Sequence, residues 1–405
     1  VSPDEARLPA LISVLTLAAS LGAANIHYSQ PLLPGIAHDL GVSLGMVALI
    51  PSASQIGFAF GILLILPLAD MLERRRLIVI MHLAVAVALM MSAFAPNRGI
   101  LMIGALLIGL AGVGPQLLTP FAALLTPPAA QGRAVSRVLS GVLMGVLVAK
   151  IVGGLVAQGI GWRALYLFAA ALMVATAAYL RFALPVSAPV APPTYRELIG
   201  SIVTLVREEP QARRHALYGA LTFAGFLGFW STYALYLYEA FGYGPGIAGL
   251  FGIAGIAGSA AAFLAGKQID RGHFVICCVI AAALIVAGFA ILLFGSGHVA
   301  GIVIGVLFLD GGVGLSHASN QSAAFKLRPD ARGRINTVYL SGVFFGGSAG
   351  SFISAMLYQQ WGWSAVCLFG GASALTLGAL ALTAPKFVAG ASAHSFAASD
   401  EAISA

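Results

Sequence analysis

The chain has 405 residues, of which 60% are hydrophobic and only 9% charged, and its formal net charge is +7. Its mean hydropathy is +0.96, whereas a soluble domain carries about 25% charged residues, so there are too few charges to cover a water-exposed surface. A soluble enzyme, a disordered chain and a nucleic-acid binder are excluded, because the basic residues sit in short segments between apolar runs, as membrane topology requires.

In chain order, apolar runs long enough for a helical span of about 20 residues occupy 8–33, 46–70, 77–95, 100–125, 136–160, 164–184, 215–240, 246–269, 274–294, 299–323, 336–359 and 363–384. The run from Leu8 is too long for the apolar core of a cleavable signal and has no basic segment before it. The pattern predicts an all-α membrane protein of twelve transmembrane helices in two six-helix bundles, over 1–185 and 215–390. Between them, 186–214 carries Pro189, Pro192 and Pro193 and then an amphipathic stretch, Tyr195–Glu209, expected as a helix lying at the membrane surface. The tail 391–405, rich in Ala and Ser, is expected to be flexible. Cys277, Cys278 and Cys367 all fall inside apolar runs and have no disulfide or metal-ligand spacing.

Orientation follows from Lys and Arg. With the N-terminus placed in the cytoplasm, all but three of the 21 basic residues lie on the cytoplasmic side. Arg98 and Arg163 lie outside and Lys150 lies within a span. This predicts cytoplasmic N- and C-termini and a cytoplasmic linker.

The halves repeat. Gly132-Arg133, Leu139-Ser140-Gly141-Val142 and Gly145 recur 201 residues later as Gly333-Arg334, Leu340-Ser341-Gly342-Val343 and Gly346. Gly161-Trp162, Ala164, Leu167 and Phe168 recur as Gly362-Trp363, Ala365, Leu368 and Phe369. Asp70 and Asp270 each end the second span of a half. A duplicated helical unit is the build of a carrier whose halves rock about a midplane site.

On these residues the chain resembles the major facilitator superfamily. The segment Leu66-Pro67-Leu68-Ala69-Asp70-Met71-Leu72-Glu73-Arg74-Arg75-Arg76 is similar to the family's Gly-x-x-x-Asp-Arg-x-Gly-Arg-Arg signature, departing at Leu66, Met71 and Glu73. Gly266-Lys267-Gln268-Ile269-Asp270-Arg271-Gly272 keeps the start of that signature and loses its basic tail. The resemblance implies gating roles for Asp70, Arg74, Arg75, Arg133, Asp270, Arg271 and Arg334, with Asp70 capping a helix or pairing with an arginine when the cytoplasmic side shuts. Span five, with Gly141, Gly145 and Ala149-Lys150-Ile151-Val152-Gly153-Gly154, resembles the glycine-rich antiporter signature, with Lys150 standing in the place of that signature's Gly-Pro pair. The glycines have the small-xxx-small spacing of close helix approach. The runs Asn25 to Leu33, Asp310 to Gln321 and Arg334 to Tyr339 resemble a bacterial efflux-permease branch, which implies an inner-membrane, multi-pass location.

Asp310 is the one acidic residue deep in a span and Lys150 the one basic residue. Such residues are costly and face a bundle interior or a watery cavity. Counting from the outer ends of their spans puts both about 15 Å deep, near the midplane. By the repeat they align with Ser351 (Lys150) and with Gly109 or Leu110 (Asp310), so symmetry does not require either charge. Asp310 is therefore the expected proton site, with Lys150 as its partner across the two bundles; burial penalises the carboxylate and a nearby cation favours it. His317, seven residues on and on the same face, is a candidate relay. His27 lies near the outer end of span one, and Gln55 is polar within span two. The resemblance lines the cavity with spans one, four, seven and ten, making Asn25, Gln116, Trp230, Tyr233 and Asn320 candidate wall residues for a partly apolar organic solute. The expected activity is proton-coupled efflux of small organic molecules by alternating access, with import of an organic anion or uniport as alternatives. No cofactor or metal is expected; the proton gradient is the energy source. The expected partners are a small organic solute, protons and the lipid bilayer, with no nucleic acid, and the working unit is expected to be a monomer. No nucleophile, metal cluster or phosphate loop suggests an enzyme.

Overall fold

In hydrocarbon, backbone N–H and C=O groups must be satisfied within the chain, which helices achieve segment by segment. The computed structural model describes residues 3–187, 194–255, 274–328 and 331–383, and these are helical with short turns and no strand. Span one is interrupted: α1 (Pro3–Ala24) and α2 (Ser29–Leu40) are separated by a turn over 25–28. Span two comprises α3 (Leu44–Val47), α4 (Leu49–Leu64) and a 3-10 turn, Leu66–Asp70. Span three is α5 (Arg74–Ala93), whose first turn is capped by the Glu73 carboxylate, accepting from the Arg75 and Arg76 N–H groups at 3.1 and 3.2 Å. Span four is interrupted like span one, into α6 (Arg98–Ala111) and α7 (Gly114–Leu124).

Spans five and six are α8 (Gln131–Ile160) and α9 (Trp162–Ala183). The linker helix α10 (Tyr195–Glu208) begins in a capping box, with Thr194 Oγ1 accepting from Glu197 N–H and Glu197 accepting from Thr194 N–H. Span seven is α11 (Pro210–Phe241). Span eight begins with α12 (Pro245–Leu250) and a 3-10 turn, Phe251–Gly255. The rest of it, with Asp270 and Arg271, lies outside the described residues. Spans nine and ten are α13 (Phe274–Phe294) and α14 (Val299–Leu327), and α15 (Arg332–Leu382) supplies the last two. It breaks at Gly362, where φ is 72°. Its repeat mate Gly161, at φ 85°, separates α8 from α9. A side chain is strained at such angles, so both halves use glycine for the same corner. Eleven of the twelve expected spans are thus seen, and the other starts where the hydropathy places it.

Within the first half α1 packs on α8, α4 on α6 and α5 on α9; within the second, α11 packs on α15 and α13 on α14. Gly141 and Gly145 lie against the Thr16 and Ser20 carbonyls of α1, and Gly342 and Gly346 against Ala216 and Ala220 of α11, the close approach expected from their spacing. Outward faces expose side chains such as Val87, Ile103, Ile276 and Leu375, as a lipid-facing surface does. Across the halves, α4 packs on α15, α8 on α12 and α2 on α11.

Candidate functional site

A cavity of about 1550 Å³ runs into the protein from the face that carries α10. Its mouth includes Asp70, Arg74, Glu197 and Arg334, and its inner end includes His27, Gln55, Lys150 and Asp310. Its lining residues lie between mid-span and the linker face. The opposite half of the molecule is shut by direct helix contact. Ser52 and Ser351 share a hydrogen bond at 2.8 Å, and Ser348 donates to the Ser52 carbonyl at 3.3 Å. At the same level Gly154 of α8 backs onto the Pro245 carbonyl, and Gly249 of α12 onto the Lys150 carbonyl; a Cβ at either glycine would overlap that backbone.

The helix breaks in spans one and four place polar groups at cavity depth. His27 lies in the turn between α1 and α2 and lines the cavity, with Nδ1 unpartnered. Gln116 follows the break between α6 and α7 and also lines it. Gln55 projects from α4; it is 2% exposed and its Oε1 has no hydrogen-bond partner.

Lys150 and Asp310 are 5% and 4% exposed, and both line the cavity. They are close enough to act on each other's charge, yet no ion pair joins them among the described residues. The Lys150 ammonium instead sits over the Trp230 ring, 2.8 Å from its centroid. Asp310 Oδ1 is buried without a hydrogen-bond partner. The Trp230 indole lies beside Asp310, but its Nε1 does not reach hydrogen-bond geometry. The expected Lys150–Asp310 partnership is therefore a proximity in this conformation, with an aromatic face holding the cation.

His317 lines the cavity on the linker side of Asp310. Tyr339 Oη contacts both His317 Nδ1, at 2.9 Å, and the His317 carbonyl, at 3.1 Å. The carbonyl can only accept, so when Tyr339 donates to it, His317 Nδ1–H must be the donor to Tyr339 Oη.

Four expected wall residues are elsewhere. Asn25 is buried, donating to the Leu21 and Gly22 carbonyls and to Met173 Sδ. Tyr233 is buried and donates to the Ala248 carbonyl at 3.0 Å. Asn320 is fully buried between His215, to which it bonds at 3.1 Å, and the Ser316 carbonyl. Trp230 is buried beneath Lys150 rather than lining the cavity. The Asn25 and Asn320 amides and the Tyr233 hydroxyl donate to partners off the cavity, and the Trp230 ring is held by Lys150, which fixes these side chains away from the solvent path. On the mouth, Asp70 pairs among the described residues with Arg74 of its own segment, at 3.7 Å, and the helix cap is Glu73 rather than Asp70. Arg75 bonds the Leu184 carbonyl, and Arg133 is exposed. Sequence reading missed Gly249 and Gly252, which press on the Lys150 backbone and stem; their three-residue spacing with Gly246 was the available signal.

Residues 13–339 match the profile of the Major Facilitator Superfamily. The chain belongs to that superfamily. It is similar to YgaY of Escherichia coli strain K12, named as an uncharacterized transporter, with 38% identity over 374 residues, 92% of this chain and 95% of the relative. It is also similar to SCO4007 of Streptomyces coelicolor, likewise named as a transporter, with 34% identity over 91% of this chain and 86% of the relative. Among solved structures, the nucleoside transporter NupG matches with a TM-score of 0.78 at 16% identity, over 93% of this chain and 99% of that one. The human organic anion transporter MFSD10 matches with a TM-score of 0.71 at 18% identity, over 94% of this chain and all of that one. At these identities the structures share the fold. Superfamily membership makes the protein a multi-pass membrane transporter rather than an enzyme, with small solutes as its cargo.

Proposed function

We propose that this transporter exports a small organic molecule in exchange for protons, with Asp310 as the proton site and Lys150 as a movable counter-charge. The observation that carries the reading is the inner end of the cavity, where a buried carboxylate with an unpartnered oxygen and a buried ammonium face one solvent path without pairing. An unpaired charge at that depth is costly, and a proton or a ligand on Asp310 relieves the cost. When Asp310 carries a proton, Lys150 rests on Trp230. When the proton leaves, Lys150 is drawn to the carboxylate and ties α8 of one half to α14 of the other. Solute and proton are coupled because each favours a different state of that pair. His317 hands protons between Asp310 and the mouth.

The excess of Lys and Arg on the linker face supports a cytoplasmic orientation for it, which would open the cavity inward in a bacterial inner membrane with both termini inside. The two bundles, 1–185 and 215–390, rock about this site, with 186–214 as the tether and the protein working as a monomer. Asp70, Arg74 and Arg334 at the mouth, with Arg75 and Arg133 near it, form the gate that draws together when the inward side shuts. Import of an organic anion with a proton is a second reading, favoured by the Lys150 ammonium, which pairs with no carboxylate among the described residues.

Proteoliposomes carrying a pH dye test both. Solute-dependent proton movement that disappears in Asp310→Asn supports coupling, and its sign separates exchange from co-import. Solute flux equal in both proteins without proton movement would refute the role of Asp310.

A further inference from the structure

We infer that the cargo is a small organic zwitterion, bearing an amine and a carboxylate on an apolar body, with the amine on Asp310 and the carboxylate on Lys150. This deepens the reading of the same cavity given above and rests on it.

The two charges are opposite, nine-tenths or more buried, and on the wall of one cavity, and neither cancels the other by direct pairing. A purely anionic solute drawn to Lys150 would also face the Asp310 carboxylate, and a purely cationic one drawn to Asp310 would face the ammonium; like-charge juxtaposition at a buried site is strongly unfavourable. A solute with both charges meets each with its opposite. The neutral orphans sort in the same way. The unpartnered Gln55 Oε1 on the cavity wall can accept from an ammonium, and the unpartnered His27 Nδ1 on the same wall, in its N–H tautomer, can donate to a carboxylate. Buried polar atoms without partners are uncommon and call for an explanation; a ligand carrying both kinds of group supplies one for all of them. Around this polar end the wall is Leu143, Leu147, Phe223, Phe226, Val313 and Phe344, which suits an apolar remainder.

The placement also fits exchange. Lys150, Gln55 and His27 belong to the first half and Asp310 to the second, so a bound zwitterion bridges both bodies. Its ammonium and a proton compete for one carboxylate, so the solute is released as the proton binds.

The test is a binding series on the purified full-length protein, read by ligand-induced thermal stabilisation. The probes are phenylalanine, its methyl ester (amine alone) and its N-acetyl derivative (carboxylate alone), with leucine and tryptophan as further zwitterions. A charge-assisted contact is worth about tenfold in affinity or more, so a zwitterion is expected to bind at least about tenfold more tightly than either blocked form. Lys150→Gln should abolish the advantage over the ester, and Asp310→Asn the advantage over the N-acetyl form. A blocked form binding as well as phenylalanine, or no stabilisation by any of the three amino acids, overturns the proposal. The comparison within wild-type protein does not depend on whether the variants fold. Binding needs no gradient, so failure here leaves the dye assay of proton coupling standing, and failure of that assay leaves the ranking of probes intact.

Discussion

Trp230 sets the resting place of Lys150, and removing its ring should trap the charge pair. The ammonium lies 2.8 Å from the ring centroid in a site where lysine is 5% exposed. A desolvated cation–π contact of this kind is worth about 2 kcal/mol, or roughly a 30-fold bias between two positions of the cation. In Trp230→Leu that bias is gone, Lys150 moves to Asp310, and the interbundle pair persists through steps in which it should open. Solute-driven proton movement in dye-loaded proteoliposomes is expected to fall about 30-fold. Trp230→Phe retains an aromatic face with a weaker quadrupole and should lie between. Tyr233→Phe is the packing control. Tyr233 contacts Trp230, with ring centroids 4.8 Å apart, but among the described residues its hydroxyl bonds the Ala248 carbonyl alone, so its loss should leave turnover near wild type. Wild-type turnover in Trp230→Leu would refute the reasoning, and so would a Phe variant as impaired as the Leu variant, since shape rather than the π face would then be at issue.

Three further outcomes are expected. Asp310→Asn replaces a buried carboxylate whose Oδ1 is unpartnered with a neutral group, so its thermal stability should equal or exceed wild type by about 1 kcal/mol while coupling is lost; a strongly destabilised Asn variant would mean the charge is structural. Gly249→Ala puts a methyl group into the Lys150 carbonyl, an overpacking cost of about 1–3 kcal/mol that falls on the conformation with the far side shut; cysteine labelling at an introduced Ser52→Cys should rise, and unchanged labelling would contradict a closing role for the α8–α12 contact. Glu197 is held below the usual glutamate range by the Thr194 N–H and hydroxyl. A depressed carboxyl stabilises its fold above the ordinary value and loses that contribution as pH falls through the lowered one, so amide protection factors over 195–208, corrected for the intrinsic exchange rate, should fall on acidification and do so less in Glu197→Gln.

What sequence could reveal here followed the physics of each signal. Span positions were legible because hydropathy over about 20 residues reports burial in hydrocarbon directly, and the repeat was legible because Gly161 and Gly362 must both adopt positive φ. Lys150 and Asp310 stood out because charge at depth is rare. The interruptions at 25–28 and after Ala111 were missed because hydropathy averaged over a whole span does not register them; Asn25 and His27 at the first, and Gly112, Gly114 and Pro115 at the second, were the available signals. Asn25, Tyr233 and Asn320 lie off the cavity wall for a different reason. A helix that is apolar all round gives no phase, so which way an amide or hydroxyl points was decided by partners such as Met173, the Ala248 carbonyl and His215, distant in sequence or one helix away. Trp230 lies behind the wall rather than on it, because its contact with Lys150 joins α8 to α11 and has no local sequence trace.

The position of Lys150 ties the charge switch to the closure of the far side. Its carbonyl lies against Gly249 and its side-chain stem against Gly252, so its backbone is part of the α8–α12 contact that shuts that side. Its ammonium, on the same residue, rests on α11 through Trp230. Separating α8 from α12 therefore moves the point from which the side chain reaches, and a side chain anchored on Trp230 resists that separation. Asp310, on α14, lies within reach of the charge but outside this contact. A lysine drawn from Trp230 to Asp310 leaves the ring on one helix for a carboxylate on another, and the restraint on α8 changes with it. In the exchange proposed above, coupling between proton binding and the side to which the cavity opens would require no relay of distant movements, because the residue beside Asp310 also forms part of the α8–α12 contact.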